Sequence, residues 1–236
     1  MNEPLLNHRI VLVTGATGAL GSATARACAR AGATVVLLSR TIPKLEKLYD
    51  AIVAEGGAQP AIYPLDLAGA SEKDYFDLAT TLKEQLGALH GVVHCAAELG
   101  NLGPLVDVTG ERWQRLLHVN LTAPFLMTRE LLPLLIKSGA GTAVFIGDSG
   151  VGDGKAYWGA YGVAKIALRG YTRILADETE GFGLGVHLFT PDPMRGPIRR
   201  SAFPGENPES LATPETQAEH IVRLLGQNPS SSPITS

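Results

Sequence analysis

A tyrosine and a lysine four residues apart, Tyr161 and Lys165, form the pair with the clearest chemical potential in this sequence. On a helix, this spacing places two side chains on the same face, one turn apart. Small and apolar residues recur at three- and four-residue steps over residues 155–180, which predicts such a helix with one buried face. A phenol ionises with a pKa of ~10 in water, and a neighbouring ammonium group favours the phenolate. The pair could therefore exchange a proton with an alcohol or a carbonyl oxygen.

Short apolar runs alternate with segments of helical character along the whole chain. The runs cover residues 9–15, 34–39, 61–64, 91–95, 141–146 and 185–189. They are continuously apolar, as expected of parallel strands that are buried on both faces. The alternation predicts the α/β class, with a doubly wound parallel sheet between two helical layers, a Rossmann-type three-layer sandwich.

Start signals mark several of the intervening helices. Thr41, followed by Pro43, is typical of a helix N-terminus. Ser71 and Asp74 resemble a capping box in which Asp replaces the usual Glu. Helices are accordingly expected over residues 19–31, 41–54, 71–86, 109–137, 155–180 and 213–225.

Length and composition indicate one folded domain. The chain has 236 residues, of which 45% are hydrophobic and 18% are charged, so it can bury a large core. No linker interrupts the pattern, and we expect a single domain over residues 1–226. Residues 227–236, QNPSSSPITS, are of low complexity and predict a disordered or truncated tail.

Charge and cysteine content narrow the class of protein further. The net charge of -3 gives no electrostatic reason to bind nucleic acid or an anionic membrane. The apolar stretches fall short of the ~20 residues of a membrane-spanning helix. Both cysteines lie in apolar contexts, which suits a reducing compartment. We expect a soluble cytoplasmic protein without a metal site, since the six histidines show no ligand spacing.

A glycine-rich turn, TGATGALG, follows the first predicted strand and leads into a helix. In a doubly wound sheet, ligands bind beyond the carboxyl ends of the strands. Glycines there let the backbone approach a pyrophosphate, whose charge the helix N-terminus favours. The dinucleotide-binding residues predicted in this turn are Gly15, Thr17, Gly18, Ala19, Leu20 and Gly21.

The end of the second strand indicates which dinucleotide is bound. An acidic residue there would hold a ribose 2′-hydroxyl, but the residues are Ser39 and Arg40, and the nearest acid is Glu46 in the next helix. Arg40 could pair with a 2′-phosphate. We therefore expect NADP(H) rather than NAD(H).

With these motifs in place, the chain resembles a classical short-chain dehydrogenase/reductase over nearly its whole length, and it is similar to the YciK-like oxidoreductases of that family. The segments that carry the likeness are LLNHRIVLVTGA, LLP at 131–133, WGAY at 158–161, LADE at 175–178 and SAFP at 201–204. The resemblance implies an NAD(P)-dependent enzyme that transfers a hydride between the nicotinamide and a small-molecule alcohol or carbonyl compound.

The resemblance also implies a catalytic tetrad of Asn120, Ser149, Tyr161 and Lys165. Tyr161 would exchange the substrate proton, and Lys165 would lower its pKa and bind the nicotinamide ribose. Ser149 would hold the carbonyl oxygen, and Asn120 would order a water in a proton relay. Further cofactor contacts are implied at Asp66, Leu67, Ala96, Ala97 and Pro191, besides Tyr161 and Lys165.

Several positions depart from the family pattern. Ala19 stands where a glycine is usual, Cys95 replaces an asparagine, and Asp192 replaces a glycine near the expected pyrophosphate. Asp148 replaces a small residue beside Ser149. These changes leave a second hypothesis open: a catalytically impaired pseudo-dehydrogenase that binds a dinucleotide or a partner protein.

Substrate selection is expected in the loop over residues 193–207, where Arg195, Arg199 and Arg200 could receive an anionic group. The same resemblance implies a homodimer or homotetramer, built through the long helices before and after the fifth strand. A serine hydrolase is disfavoured because the sequence around Ser149 lacks the last glycine of a Gly-x-Ser-x-Gly elbow.

Overall fold

One six-stranded parallel sheet forms the centre of the protein, in a computed structural model that describes residues 3–227. Its strands are β1 (Ile10–Thr14), β2 (Thr34–Ser39), β3 (Ala61–Pro64), β4 (Gly91–His94), β5 (Gly141–Ile146) and β6 (Leu184–Phe189). Their order is β3-β2-β1-β4-β5-β6, and every neighbouring pair is parallel. Strands β2 and β3 are added on one side of β1, and β4 to β6 are added on the other side. This switch in strand order between β1 and β4 creates a crevice at the carboxyl ends of the strands. The predicted fold class is confirmed.

Eight α-helices surround the sheet within the described part of the chain. They are α1 (Ala19–Arg30), α2 (Ile42–Ala54), α3 (Glu72–Leu86), α4 (Gly110–Leu117), α5 (Ala123–Lys137), α6 (Gly159–Glu178), α7 (Pro197–Ala202) and α8 (Pro214–Gly226). Helices α1, α2 and α8 pack on one face of the sheet, and α3, α5 and α6 pack on the other. The predicted tail lies outside the described residues apart from Gln227, and the domain boundary stays a prediction.

The continuous apolar runs have a direct explanation in this layering. Val11 and Val13 of β1 face the core beneath α1 and α8, whereas Leu12 faces the core beneath α3 and α5. All three side chains are fully buried. Because both faces are covered, neither set of alternate residues can be polar.

The helical region predicted over residues 109–137 is divided into two helices. A π-helical turn, His118–Thr122, separates α4 from α5 and contains the buried Asn120. Pro124 lies in the first turn of α5, directly after the π-helical turn. Apolar periodicity did not reveal the turn, which replaces the i→i+4 hydrogen bonds of an α-helix with i→i+5 bonds over a single turn.

The helix that carries Tyr161 begins later than predicted. Its first residue is Gly159, not residue 155, because Tyr157 and Gly159 adopt positive φ values of 74° and 49°. Helix α7 lies in the segment expected to be a loop. Thr41 occupies the N-cap of α2 as predicted, but its side chain makes no capping hydrogen bond.

Among residues 3–227, one helical segment, Gly110–Lys137, is long and apolar enough to cross a membrane when judged by length and composition, with a mean hydropathy of 1.2 over 18 residues. In this protein 56% of that window is buried, and α5 packs against α3 and β5. The segment thus has the burial of a core helix.

The buried His94 should make the protein sensitive to acid. Burial, and secondarily the charge of Lys165, lowers the pKa of His94 from 6.5 to about 3. The unfolded chain therefore binds a proton that the folded chain excludes, and stability should fall as the pH drops from ~6.5 towards ~3, by up to about 1.4 kcal/mol per pH unit. Urea unfolding at pH 7 and pH 5 should show a pH-dependent loss that is smaller by about 2 kcal/mol in His94→Asn.

The matched control is His8→Asn, because His8 lies on the surface. It should retain the wild-type dependence on pH. Equal slopes for wild type and His94→Asn would show that His94 is not held neutral.

Candidate active site

A cavity of about 720 Å³ opens at the carboxyl ends of the strands, where the crevice was expected. Its wall includes every residue predicted to bind a cofactor: Gly15, Thr17, Gly18, Ala19, Leu20, Gly21, Ser39, Arg40, Asp66, Leu67, Ala96, Ala97, Tyr161, Lys165 and Pro191. Ser149 also lines it, whereas Asn120 does not. The fold therefore brings the glycine-rich turn and the Tyr161–Lys165 pair to one continuous cavity.

The turn between β1 and α1 requires glycine at two positions. Gly15 has a φ of +59°, and a Cβ added there would lie 2.7 Å from the Cα of Ala96. A Cβ on Gly21 would lie 2.2 Å from the carbonyl oxygen of Gly15. Ala19 lies beside Gly196, where an added Cβ would be 3.4 Å from the Ala19 methyl carbon, an ordinary van der Waals distance.

Hydroxyl groups and free cations line the cavity at the end of β2. The hydroxyl groups of Thr17 and Ser39 are hydrogen-bonded at 2.7 Å. Arg40 and Lys44 are both exposed and line the cavity, and neither has an ion-pair partner within residues 3–227. Lys44 was not singled out from the sequence; it lies in the first turn of α2, shortly after Arg40. Two unpaired cations make this corner suitable for a phosphate group.

The Tyr161 hydroxyl group donates a hydrogen bond to the carboxylate of Asp148. The Oη atom lies 2.6 Å from Oδ2 of Asp148, and only 2% of the Tyr161 surface is exposed. The other carboxylate oxygen, Oδ1, accepts a hydrogen bond from the N–H group of Gly150 at 2.7 Å. Trp158 packs 6.0 Å from the Tyr161 ring, centroid to centroid. Sequence reasoning noted Asp148 as a possible acid near the site but did not place it on Tyr161.

The electrostatic effect on Tyr161 is opposite to the one expected. Burial, followed by the charge of Asp148 and the hydrogen bond to it, raises the pKa of Tyr161. Burial lowers the pKa of Lys165 from 10.5 to about 8, although the Asp148 charge acts in the other direction. Lys165 donates a hydrogen bond to the carbonyl oxygen of Ile146 at 2.8 Å. Desolvation and the carboxylate thus hold Tyr161 as a neutral phenol.

Ser149 and Asn120 occupy different surroundings from Tyr161. Ser149 is exposed and begins a short 3₁₀ turn, Ser149–Val151. The contact with the Tyr161 hydroxyl is made by its neighbour Asp148. The buried Asn120 donates to the carbonyl oxygens of Glu98 and Leu116 at 2.8 and 2.9 Å. The Asn120 amide therefore holds the segment after β4 against the π-helical turn.

The acidic departure at Asp192 has a polar partner that the sequence did not reveal. The backbone N–H of Asp192 donates to the Gln217 side chain at 3.2 Å, and the Gln217 amide donates to the Asp192 carboxylate at 3.4 Å. Arg195 donates to the carbonyl oxygens of Leu211 and Glu209 rather than to the Asp192 carboxylate. Gln217 on α8 therefore orients the loop that follows β6.

Arg199 is not free to receive an anion. Its guanidinium group forms two hydrogen bonds of 2.6 Å with the carboxylate of Glu206 and lies 3.8 Å from the Phe203 ring centroid. Ile198 and Trp158 line the same end of the cavity. This end of the cavity is therefore more apolar than the three arginines of residues 193–207 suggested. The charge of Arg199 is compensated by Glu206. Residues 3–227 contain no group of three or more His, Cys, Asp or Glu placed to hold a metal.

This fold, with its glycine-rich turn and tyrosine–lysine pair, defines the class of protein. Residues 9–207 match the family model described as short chain dehydrogenase. The chain belongs to the short-chain dehydrogenase/reductase family of oxidoreductases.

Individual relatives support the same assignment. The chain is 41% identical over 226 residues to the uncharacterized oxidoreductase YciK of Escherichia coli (strain K12), covering 96% of this chain and 89% of that protein. It is 31% identical to dehydrogenase/reductase SDR family member 4 of Oryctolagus cuniculus, covering 94% and 81%. A short chain dehydrogenase of Escherichia coli CFT073, complexed with NADPH, superimposes with a TM-score of 0.92 at 40% identity, covering 96% and 94%. The resemblance to the YciK-like group is confirmed.

Replacing Gly21 should test the tight contact behind the cavity. The Cβ of Gly21→Ala would collide with the carbonyl oxygen of Gly15, a backbone atom that cannot move aside cheaply. We expect a loss of about 1–3 kcal/mol in unfolding free energy, the usual cost of overpacking, measured by denaturant titration.

Gly110→Ala is the control, since a Cβ there meets no atom within 4 Å. Its stability should equal or exceed that of wild type. A Gly21→Ala protein as stable as wild type would contradict the assigned contact.

Proposed function

We propose that this protein interconverts an alcohol and a carbonyl compound with NADP(H) as its cofactor. The observation that carries the proposal is a single cavity lined both by the β1–α1 glycine turn and by Tyr161 and Lys165. The family assignment supports oxidoreductase chemistry. When bound, the nicotinamide would supply or accept the hydride.

The described residues fit such a cofactor. Gly15 and Gly21 leave the backbone free of side chains where a pyrophosphate approaches the start of α1. Arg40 and Lys44 offer two uncompensated charges to a 2′-phosphate. Solved relatives at similar identity support this choice, since one from Shigella flexneri 2a is complexed with NADP and superimposes with a TM-score of 0.92.

The catalytic roles follow from chemistry and position. Tyr161 exchanges the substrate proton, because its hydroxyl is the titratable group of α6 that lines the cavity beside Lys165. Lys165, with a pKa of about 8, contributes positive charge and hydrogen bonds to a bound ribose. Ser149 holds the substrate oxygen, and Asn120 maintains the segment around Glu98.

Assembly and location complete the proposal. A homodimer or homotetramer would be built through α5 and α6, which expose Phe125, Val163 and Ile174 at 41%, 44% and 59% of their surfaces. Such exposed apolar side chains suit an interface. The protein would act in the cytoplasm on a small molecule, without nucleic acid or membrane partners.

The cofactor assignment is tested by fluorescence titration with NADPH and NADH. We expect NADPH to bind more tightly, and Arg40→Ala to weaken NADPH binding ~10- to 100-fold, as expected for a lost hydrogen bond to a charged group. NADH binding should change little. Lys47→Ala provides the control, since Lys47 lies on the exposed side of α2 and does not line the cavity.

Tighter binding of NADH would overturn the assignment of Arg40 while leaving the enzyme class intact. No binding of either dinucleotide by the folded protein would favour the pseudo-dehydrogenase hypothesis.

Tyr161→Phe tests the catalytic assignment. Phe keeps the ring packing against Trp158 but removes the hydroxyl group, so we expect turnover of a carbonyl panel with NADPH to fall ~10²- to 10⁴-fold. NADPH affinity should stay within a few-fold of wild type. Retained turnover would exclude Tyr161 as the proton donor.

A further inference from the structure

We propose that Asp148 exchanges a proton with Tyr161 during turnover, so that the ionised carboxylate prepares the site to receive a hydrogen-bond donor, such as an alcohol hydroxyl, rather than a carbonyl oxygen. This inference rests on the proposed function, because it concerns the proton that accompanies the hydride. It goes beyond that proposal by assigning a second proton-carrying group and a preferred substrate state.

The geometry of Asp148 assigns different tasks to its two oxygens. Oδ1 accepts from the backbone N–H of Gly150 at 2.7 Å, which fixes the carboxylate at the start of the 3₁₀ turn. Oδ2 lies 2.6 Å from the Tyr161 hydroxyl. Both contacts donate to the carboxylate, so both of its oxygens act as acceptors. Asp148 also lines the cavity, next to the atoms that a substrate would reach.

The direction of this hydrogen bond determines what Tyr161 can offer a substrate. A phenol has one proton to donate, and here that proton is directed to Asp148. The lone pairs that remain on the oxygen can only accept. An alcohol can donate to them, whereas a carbonyl oxygen would face a lone pair until Asp148 carries a proton.

Two cations act on Asp148 from the elements around it. Lys165 on α6 and Arg199 on α7 both interact electrostatically with its carboxylate. Arg199 is compensated by Glu206, to which it is bound through two hydrogen bonds. Lys165 is thus the cation in this group without a carboxylate bound to it, and it lies 5.7 Å from the Tyr161 ring centroid.

The proton steps balance as follows for alcohol oxidation. The alcohol O–H bond breaks and its proton passes to the Tyr161 oxygen, while the Tyr161 O–H bond breaks and its proton passes to Oδ2 of Asp148. Asp148 becomes a carboxylic acid and Tyr161 remains a phenol. The two electrons of the carbinol C–H bond leave with the hydride that the oxidised cofactor accepts. Carbonyl reduction is the reverse and begins with protonated Asp148.

The decisive measurement is made on the full chain without substrate. Labelling the six tyrosines with ¹³C at Cζ gives a signal for each, and Tyr161→Phe identifies that of Tyr161. In wild type, the Tyr161 signal should remain that of a phenol at a pH above ~10, where a phenol free in water has ionised. In Asp148→Asn, its midpoint should fall by about 1 pH unit or more, a tenfold change in acid dissociation.

Asp153→Asn is the matched control, because its carboxylate lies in the same loop but is exposed and paired with Arg169. It should leave the Tyr161 signal unchanged. An Asp148→Asn signal that titrates as in wild type would overturn the proposal, and Asp148→Ser gives the same test should the asparagine variant misfold.

Kinetics then separate proton transfer from positioning, with 1-phenylethanol and acetophenone as the probe pair. Asp148→Asn should reduce oxidation on the order of 10²-fold and abolish the decline of oxidation towards acid pH. A uniform loss in both directions with an unchanged pH profile would reduce Asp148 to a positioning role and overturn the proposal. If the protein turns over neither probe, the comparison of the Tyr161 titration in wild type and Asp148→Asn alone tests the proposal.

Failure of this proposal is distinct from failure of the proposed function. A protein that binds NADPH but shows no coupling between Asp148 and Tyr161 retains the function and refutes the inference. Coupling in a protein that binds neither dinucleotide would refute the function instead.

Discussion

The close approach of three backbone segments at Gly15 is the constraint on which the cavity depends. Gly15 begins the turn after β1 with its Cα against Ala96, and Gly21 of α1 lies on the Gly15 carbonyl oxygen. The Thr14 hydroxyl accepts a hydrogen bond from the Ala96 N–H at 3.2 Å, which ties β1 to the segment after β4. Because no side chain fits between these segments, the ends of two central strands and the start of a helix form a bare polar surface. The reacting residues are arranged around that surface.

Burial and the charge of Asp148 both raise the pKa of Tyr161. Lys165 was expected to dominate the ionisation of the phenol, but its ammonium group is itself desolvated and bonded to the Ile146 carbonyl oxygen. The carboxylate of Asp148 is in direct contact with the hydroxyl. A direct hydrogen bond to a carboxylate and the loss of water both favour the neutral phenol, so their combined effect exceeds that of a cation positioned over the ring.

The departures from the family pattern are accommodated locally. Asp192 exchanges two hydrogen bonds with Gln217. Cys95 is a partly buried neutral thiol, since desolvation raises its pKa to about 12. Asp192 thus has a polar partner, and Cys95 adds no charge to the cavity wall, both of which fit the proposed dinucleotide site.

Local patterns were sufficient to predict the sheet, most of the helices, the glycine turn and the Tyr161–Lys165 pair, because apolar periodicity and four-residue spacing are properties of neighbouring residues. The same patterns could not decide whether Asp148 or Ser149 reaches Tyr161, since adjacent residues leave a strand in different directions and only the turn after β5 selects one. They also could not show that Glu206 compensates Arg199. Which charges meet, and how strongly burial alters them, depends on segments that only the folded chain brings together.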